Sequence, residues 1–133
     1  MYKILIVLVV LSSLLLAGCS SSSSGLERLE GQIVWEDGGT LPAGSTVSVQ
    51  IVNASLADAT ETLAQTSFNV EGSPPLNFFV EYDPANVDDR MNYSATVRIE
   101  DSDGQLLYIT KTAQFVIENG QQVEDIKILV EPV

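Results

Sequence analysis

The feature that most constrains the fold of this chain is an alternation of apolar and polar residues with a period of two, which runs from Leu26 to the C-terminus. The clearest example is the segment Thr46-Val47-Ser48-Val49-Gln50-Ile51. Successive side chains of a β-strand point to opposite faces, so this pattern is typical of strands that bury one face and expose the other. The sequence therefore favours sheets over helices.

Turn residues divide the alternating region into short segments. Proline cannot donate a backbone hydrogen bond to a ladder, and glycine readily adopts positive φ, so both types end strands. The predicted strands are Leu29–Trp35, Thr46–Ile51, Leu63–Val70, Leu76–Tyr82, Tyr93–Glu100 and Leu106–Thr110, followed by a terminal hairpin of Gln114–Ile117 and Val123–Val130 around Asn119-Gly120. This spacing predicts an all-β fold, a single compact β-sandwich of about seven or eight mostly antiparallel strands.

The N-terminus has a different character. Lys3 precedes a run from Ile4 to Leu16 that is apolar except for two serines, which is typical of a secretory signal. The run is shorter than the roughly 20 apolar residues that span a bilayer as a helix. It ends at Leu16-Ala17-Gly18-Cys19, which resembles the bacterial lipobox, in which the cysteine receives a diacylglyceryl group and becomes the first residue after cleavage.

The lipobox resemblance implies a role for each residue around the cleavage point. Residues 1–18 would be a lipoprotein signal peptide, with Leu16, Ala17 and Gly18 recognised by the signal peptidase and Cys19 lipidated. A cysteine suits acylation because its thiolate is accessible near neutral pH. Lipoproteins of this kind carry three acyl chains, palmitate among them, and more than one chain gives stable anchoring.

Ser20 bears on the destination of the protein. In similar lipoproteins an aspartate at this position tends to retain the protein in the inner membrane, whereas serine permits transfer onward. The resemblance therefore implies the inner leaflet of the outer membrane, with the domain in the periplasm.

The serine tract after Cys19 separates the anchor from the folded part. Ser20 to Gly25 is too polar and too small to bury anything, so residues 19–28 are predicted to be a flexible tether. Residues 29–133 are predicted to form one monomeric domain. Cys19 is the only cysteine of the chain, so no disulfide supports that domain and packing must supply its stability.

Acidic residues dominate the charge of the mature domain. All 18 Asp and Glu residues lie after Cys19, and five of the six Lys and Arg remain once residues 1–18 are removed, which gives a formal charge of −13. Phosphate binding needs clusters of Lys and Arg, so nucleic acid is excluded as a partner. A cationic protein segment remains open as a ligand, beside the simpler interpretation of a solubilising surface.

The sequence indicates no catalytic residue, no metal site and no cofactor. Histidine is absent and the only thiol is that of Cys19, so an enzyme would have to rely on carboxylates. Asp101-x-Asp103-Gly104 is better explained as a tight turn than as a calcium loop, which needs glycine at its sixth position. Asp88-Asp89 and Glu124-Asp125 are predicted to be solvated charge pairs.

A set of motifs extends over nearly the whole mature domain. They are Gly31-x-Ile33-Val34-Trp35, Leu41-Pro42-x-x-Ser45-x-Val47-x-Val49-x-Ile51, Asn53-x-Ser55-x-Ala57-Asp58-Ala59, Pro75-x-x-Phe78-x-Val80-x-Tyr82-Asp83, Asn92-Tyr93-x-Ala95-x-Val97-Arg98-Ile99, Asp103-Gly104-x-Leu106 and Tyr108-Ile109-Thr110. In their order and approximate spacing these motifs resemble the YbaY/YscW lipoprotein family, and the chain resembles the general YbaY branch more closely. The resemblance implies a β-sandwich lipoprotein. Some members of that family act as pilotins, which bind the C-terminal segment of a secretin and carry it to the outer membrane. The resemblance extends this role to the present chain as an expectation.

Two functions follow as hypotheses. The first is a non-enzymatic lipoprotein that binds and escorts or stabilises an envelope protein such as a secretin, by strand addition at an open sheet edge or by helix docking. The alternative is a glycan- or peptidoglycan-binding module, suggested by Trp35, Tyr82 and Tyr93. Trp35 occupies a strand position that alternates with Gln32, Val34 and Glu36, and it is predicted to lie in the core. The sequence identifies no residue that binds the partner.

Overall fold

The computed structural model describes residues 25–56 and 61–133. Within these ranges the chain forms ten strands and a three-residue 3₁₀ turn at Pro84–Asn86. The strands are β1 (Glu27–Val34), β2 (Leu41–Asn53), β3 (Thr62–Gly72), β4 (Leu76–Tyr82), β5 (Tyr93–Glu100), β6 (Leu106–Ile109), β7 (Gln114–Glu118), β8 (Gln121–Gln122), β9 (Lys127–Leu129) and β10 (Glu131–Pro132). Seven of the ten have four residues or more. The prediction of an all-β fold with about seven or eight strands is confirmed.

The strands of the described part of the chain form two sheets that pack face to face as a β-sandwich. The smaller sheet has the order β4–β1–β9, and the larger has the order β10–β6–β5–β2–β3, with β7 pairing with β5 and with β8. Pairing is antiparallel throughout except between β1 and β9, which run parallel. β1 begins at Glu27, two positions before the start that the alternation predicts.

The core lies between the two sheets and consists of the apolar half of each alternating strand. Val47, Val49 and Ile51 of β2 have no exposed surface, and neither do Val97 and Ile99 of β5. The smaller sheet contributes the inward residues of β4 and β1, which are Leu76, Phe78, Val80, Tyr82, Leu29 and Ile33. Because no disulfide is available, burial of this apolar surface is the main source of stability.

The C-terminal segment departs from the predicted hairpin. β8 is only two residues long, after which the chain passes to the other sheet, where β9 runs beside β1 and β10 returns to pair with β6. Asp125, between β8 and β9, has a φ of 52°, and the next residue, Ile126, accepts a hydrogen bond from the Gln32 N–H at 2.9 Å. The predicted turn at Asn119-Gly120 does join two paired strands, β7 and β8, and the Val123 N–H donates to the Val116 carbonyl at 3.0 Å. The prediction that the rest of the segment, as far as Val130, pairs with Gln114–Ile117 is wrong, because alternation along one segment does not specify its partner strand.

Candidate functional site

The predicted lipidation site lies outside the described residues. This holds for Leu16, Ala17, Gly18, Cys19 and Ser20, so the roles assigned to them stay predictions. What the structure adds is the start of the first described strand, at Glu27 of β1. Seven residues separate Cys19 from that strand.

The three aromatic residues of the glycan hypothesis are all in the core. Trp35, Tyr82 and Tyr93 are 3%, 4% and 1% exposed. The Trp35 indole Nε1–H donates to the Gly39 carbonyl at 2.7 Å, and its ring lies 5.4 Å from that of Tyr108. The prediction that Trp35 belongs to the core is confirmed, and the interpretation of these aromatics as a surface for sugar rings is wrong.

Tyr108 of β6 contacts two residues of the loop after β1, the Trp35 ring and the Asp37 carboxylate. Its hydroxyl donates to the Asp37 carboxylate, whose two oxygens lie 3.0 and 2.9 Å away. Burial raises the pKa of the Tyr108 hydroxyl above the usual 10.0, and the hydrogen bond and negative charge of Asp37 raise it further. Deprotonation would place two negative charges together, so the pair stabilises the folded chain only while Tyr108 is neutral.

Tyr108→Phe is expected to lower the free energy of unfolding by about 1 kcal/mol at neutral pH, since one hydrogen bond is lost. A raised folded-state pKa means that this stabilisation is fully present below pH 10.0 and disappears as the pH rises through the folded-state pKa. Urea unfolding at neutral pH and again above pH 10 measures both effects. The wild type should lose more stability at alkaline pH than the variant does, and equal losses would contradict this role of Tyr108.

The carboxylates considered as catalytic or metal-binding groups have local structural roles. The Asp101 Oδ1 accepts from the N–H groups of Asp103 and Gln105, both at 2.9 Å, and Gly104 has a φ of 83°. The tight turn predicted for this motif is confirmed. Among the residues described, no group of three or more His, Cys, Asp or Glu side chains is placed to hold a metal ion.

Asp88 is held by its near neighbour Arg90. The Arg90 side chain donates from Nε at 3.1 Å and from Nη2 at 3.0 Å, and its backbone N–H donates at 2.9 Å. These hydrogen bonds hold the pKa of Asp88 below its usual value, so the carboxyl is ionised at neutral pH. A half-buried carboxylate that is ionised and paired with Arg90 is unsuited to general acid catalysis.

Several motif residues that carry the family resemblance fix loops rather than form a cleft. The Asn53 Oδ1 accepts from the Ser55 N–H, and the Ser55 hydroxyl oxygen accepts from the Asn92 N–H, both at 2.9 Å. The Ser45 hydroxyl donates to the Pro42 carbonyl at 2.7 Å, where the β2–β3 register shifts. These contacts join the loop after β2 to the loop before β5 and stabilise an irregularity in β2.

β3 is the least protected edge of the sandwich. Within the described ranges, this strand of 11 residues pairs with β2 and with no other strand. Every second residue of an edge strand directs its backbone N–H and C=O away from the sheet, where a strand from another chain can bind them. The sequence predicted an open edge somewhere on the sandwich but not which strand forms it.

The inward face of β3 is only partly covered. Ala64, Thr66, Phe68 and Val70 are half-buried, whereas the corresponding residues of β2 are fully buried. Ala64, Phe68 and Val70 pack against the core with only part of their surface, so a mainly apolar strip remains accessible beside the free edge. We call these four residues the β3 strip.

The outer face of β2 and β3 carries an uncharged row of paired polar side chains. Their hydrogen bonds join Thr46 to Asn69 at 3.2 Å, Ser48 to Ser67 at 3.4 Å and Gln50 to Gln65 at 3.4 Å. Hydrogen bonds of this length between exposed groups are weak and exchange readily with water. A partner approaching this face meets no charge from these six residues.

The smaller sheet presents a different outer surface. Phe79 of β4 is 46% exposed, and the Arg28 guanidinium lies 3.7 Å from the centroid of its ring. Arg28 also pairs with Glu30 at 2.7 Å. The inward residues of β4 are already buried, so this edge offers no uncovered apolar strip.

These features define a class of protein, a small β-sandwich module with one long open sheet edge. The family described as "Type III secretion system lipoprotein chaperone (YscW)" matches residues 24–128. The chain belongs to this family, as its motifs indicated. No curated protein matches it. In the described part of the chain, no helix is both long and apolar enough to cross a membrane.

The chain is also similar to a solved pilotin. The structure of an alternative pilotin from the type II secretion system of Vibrio cholerae shares 29% sequence identity and a TM-score of 0.74, covering 81% of this chain and 97% of that one. A 9R-lipoxygenase from Cyanothece PCC8801 matches at 18% identity and a TM-score of 0.39 over 16% of its own length, too weak a likeness to support an argument. The family match and the structural match both concern proteins of secretion systems, a lipoprotein chaperone in one case and a pilotin in the other.

Proposed function

We propose that this chain is a lipid-anchored pilotin that binds an envelope protein in the periplasm, such as the C-terminal segment of a secretin, and escorts or stabilises it at the outer membrane. The observation that carries the proposal is the similarity to the type II secretion pilotin, which extends over 97% of that protein. The family assignment supports the same role. Membership of a chaperone family and the absence of histidine both support a non-enzymatic function.

The proposed anchor is the acylated Cys19. With three acyl chains at about 0.8 kcal/mol per buried CH₂, attachment would be effectively permanent. The seven residues that separate Cys19 from Glu27 give a root-mean-square reach of about 15 Å if they behave as a flexible linker. The domain would then work close to the membrane surface while remaining free to rotate toward a partner.

The proposed location is the inner leaflet of the outer membrane. Ser20 stands where an aspartate would favour retention in the inner membrane, and the family description as lipoprotein chaperones supports an envelope location. A monomeric domain with an acidic surface suits transport through the periplasm, because net charge keeps proteins soluble.

Binding of defined secretin segments tests this function. The full lipoprotein, extracted in mild detergent, would be titrated with the C-terminal segments of the secretins encoded in the same genome, with the same secretins truncated before that segment as matched controls. We expect micromolar or tighter binding to at least one segment and none to the truncated controls. If no segment binds, or if truncated and complete secretins bind equally, the pilotin proposal is wrong.

A further inference from the structure

We propose that the partner binds by adding an extended segment to the free edge of β3, and that this segment has apolar residues at alternate positions and basic residues at both ends. This inference rests on the proposed function and names the surface and the partner chemistry. β3 provides the backbone groups, the β3 strip provides apolar contacts, and two glutamates provide charge at its ends.

The edge of β3 differs from the other sheet edges. β9 and β10 are three and two residues long, and β10 contains Pro132, which lacks the N–H that strand addition needs. β4 has seven residues, but its inward side chains are already buried. β3 has 11 residues and no proline. Its ladder with β2 has register shifts at both ends, between Thr62 and Ala64 and between Val70 and Gly72, but it is regular from Ala64 to Val70. Natural proteins usually protect long edges with charge, proline or bulges, so this regular and uncharged stretch is a ready surface for strand addition.

The β3 strip determines the pattern of the incoming segment. Side chains of an added strand alternate between the two faces of the sheet, so every second residue would lie beside the half-buried Phe68 and Val70. An apolar residue at those positions would cover the strip and extend the core by one strand. The other residues would lie beside Gln65, Ser67 and Asn69, which are uncharged.

The charges at the two ends of β3 determine which residues suit the ends of the incoming segment. From Thr62 to Val70 the chain carries no charged residue, but Glu61 precedes this stretch, Glu71 follows it, and both are exposed. A segment with Lys or Arg near each end would meet an opposite charge at both ends of β3, whereas an acidic segment would be repelled. The net charge of −13 strengthens the attraction at low salt.

Two synthetic peptides of 11 residues test this inference. Both alternate valine and threonine, and one carries lysine at each end where the other carries glutamate. Binding to the detergent-solubilised lipoprotein would be measured together with amide hydrogen exchange. We expect the lysine peptide to bind and to slow exchange within Thr62–Gly72. We expect the glutamate peptide to bind at least about tenfold more weakly, a difference of about 1.4 kcal/mol.

A matched pair of lysine variants locates the contact. Thr66→Lys places a charge in the β3 strip, and Thr96→Lys places the same charge at a half-buried threonine of β5 in the middle of the same sheet. We expect Thr66→Lys to reduce binding of the lysine peptide at least about tenfold and Thr96→Lys to leave it unchanged. If Thr66→Lys does not fold, a double variant at two exposed positions, Glu61→Lys with Glu71→Lys, takes its place. This double variant should bind the glutamate peptide more tightly than the lysine peptide.

Several outcomes would overturn the inference. These are no binding of the lysine peptide to the wild type, equal binding to Thr66→Lys, or exchange protection outside β3. A wild-type dimer that Thr66→Lys dissociates would show that a second copy occupies the edge. If secretin segments bind while the peptides do not, the edge assignment fails and the pilotin function stands. If the lysine peptide binds at β3 and no secretin segment binds, the edge assignment stands and the pilotin function fails.

Discussion

Replacing Gly31 with alanine is expected to lower the free energy of unfolding by about 3 kcal/mol, at the upper end of the range for overpacked cores. A Cβ atom at this position would lie 2.7 Å from the Ile126 Cγ2, 2.9 Å from the Ile126 carbonyl oxygen and 2.9 Å from the Phe78 Cε1. The carbonyl cannot easily move away, because it accepts the hydrogen bond from the Gln32 N–H that holds the segment before β9 against β1.

Urea unfolding of Gly31→Ala measures this loss, with Glu30→Ala as the matched control on the same strand. Glu30 is exposed and its ion pair with Arg28 lies at the surface, so its removal should change stability by less than about 1 kcal/mol. If the two variants lost equal stability, the close approach of Ile126 to β1 would not be the reason for glycine in the family motif.

Replacing Cys19 with serine is expected to abolish lipid anchoring at the outer membrane. Serine has no thiol to receive the diacylglyceryl group, so the chain should appear as soluble protein in the periplasm or as an uncleaved precursor. The expected change is nearly complete, since two or more acyl chains make attachment effectively permanent and none leaves no anchor. Labelling with radioactive palmitate, together with membrane fractionation, measures it.

Ser20→Asp is the matched variant for the anchoring experiment. It keeps Cys19, so palmitate labelling should persist, while the protein shifts from the outer to the inner membrane fraction. Persistent labelling and mature anchoring in Cys19→Ser would contradict the lipoprotein assignment. An unchanged distribution of Ser20→Asp would contradict only the role of Ser20 in sorting.

The sequence predicted those parts of the fold that depend on one strand at a time. Alternation identified the inward faces of β2, β4 and β5, because burying one face of a strand imposes a period of two wherever that strand is placed. Turn chemistry identified the Asp101–Gly104 turn, where the Asp101 side chain binds nearby N–H groups. Placing Trp35 in the core was right for the same reason, since it continues the inward face of β1.

The alternation of apolar and polar residues does not specify which strands pair when they are far apart in the sequence. The residues after β8 leave their sheet at Asp125 and form β9 beside β1, and a side chain of β7 holds this arrangement. The Gln114 Nε2 donates to the Leu129 carbonyl at 3.2 Å, and its Oε1 accepts from the Leu129 N–H at 3.1 Å. An amide that bonds to the backbone of the opposite sheet cannot be distinguished, in sequence, from an exposed glutamine.

The sequence could not identify β3 as the candidate binding edge either. β3 has the same alternation as β2, and its position at the end of the larger sheet follows from the order of all the other strands. The half-burial of Phe68 and Val70 is a property of the assembled sandwich and is not visible in the alternation of one strand. The sequence could show that Thr62–Val70 lacks charge, but only the sheet order shows that this uncharged segment is a free edge.

The most direct measurement of the central claim is the amount of each secretin from the same genome in the outer-membrane fraction. Three strains would be compared, with the wild-type chain, without the chain and with Cys19→Ser. A lipid-anchored pilotin should deliver its secretin only when Cys19 is present, so at least one secretin should fall in both altered strains and recover with the wild-type gene. Equal outer-membrane amounts of every secretin in all three strains would contradict the claim.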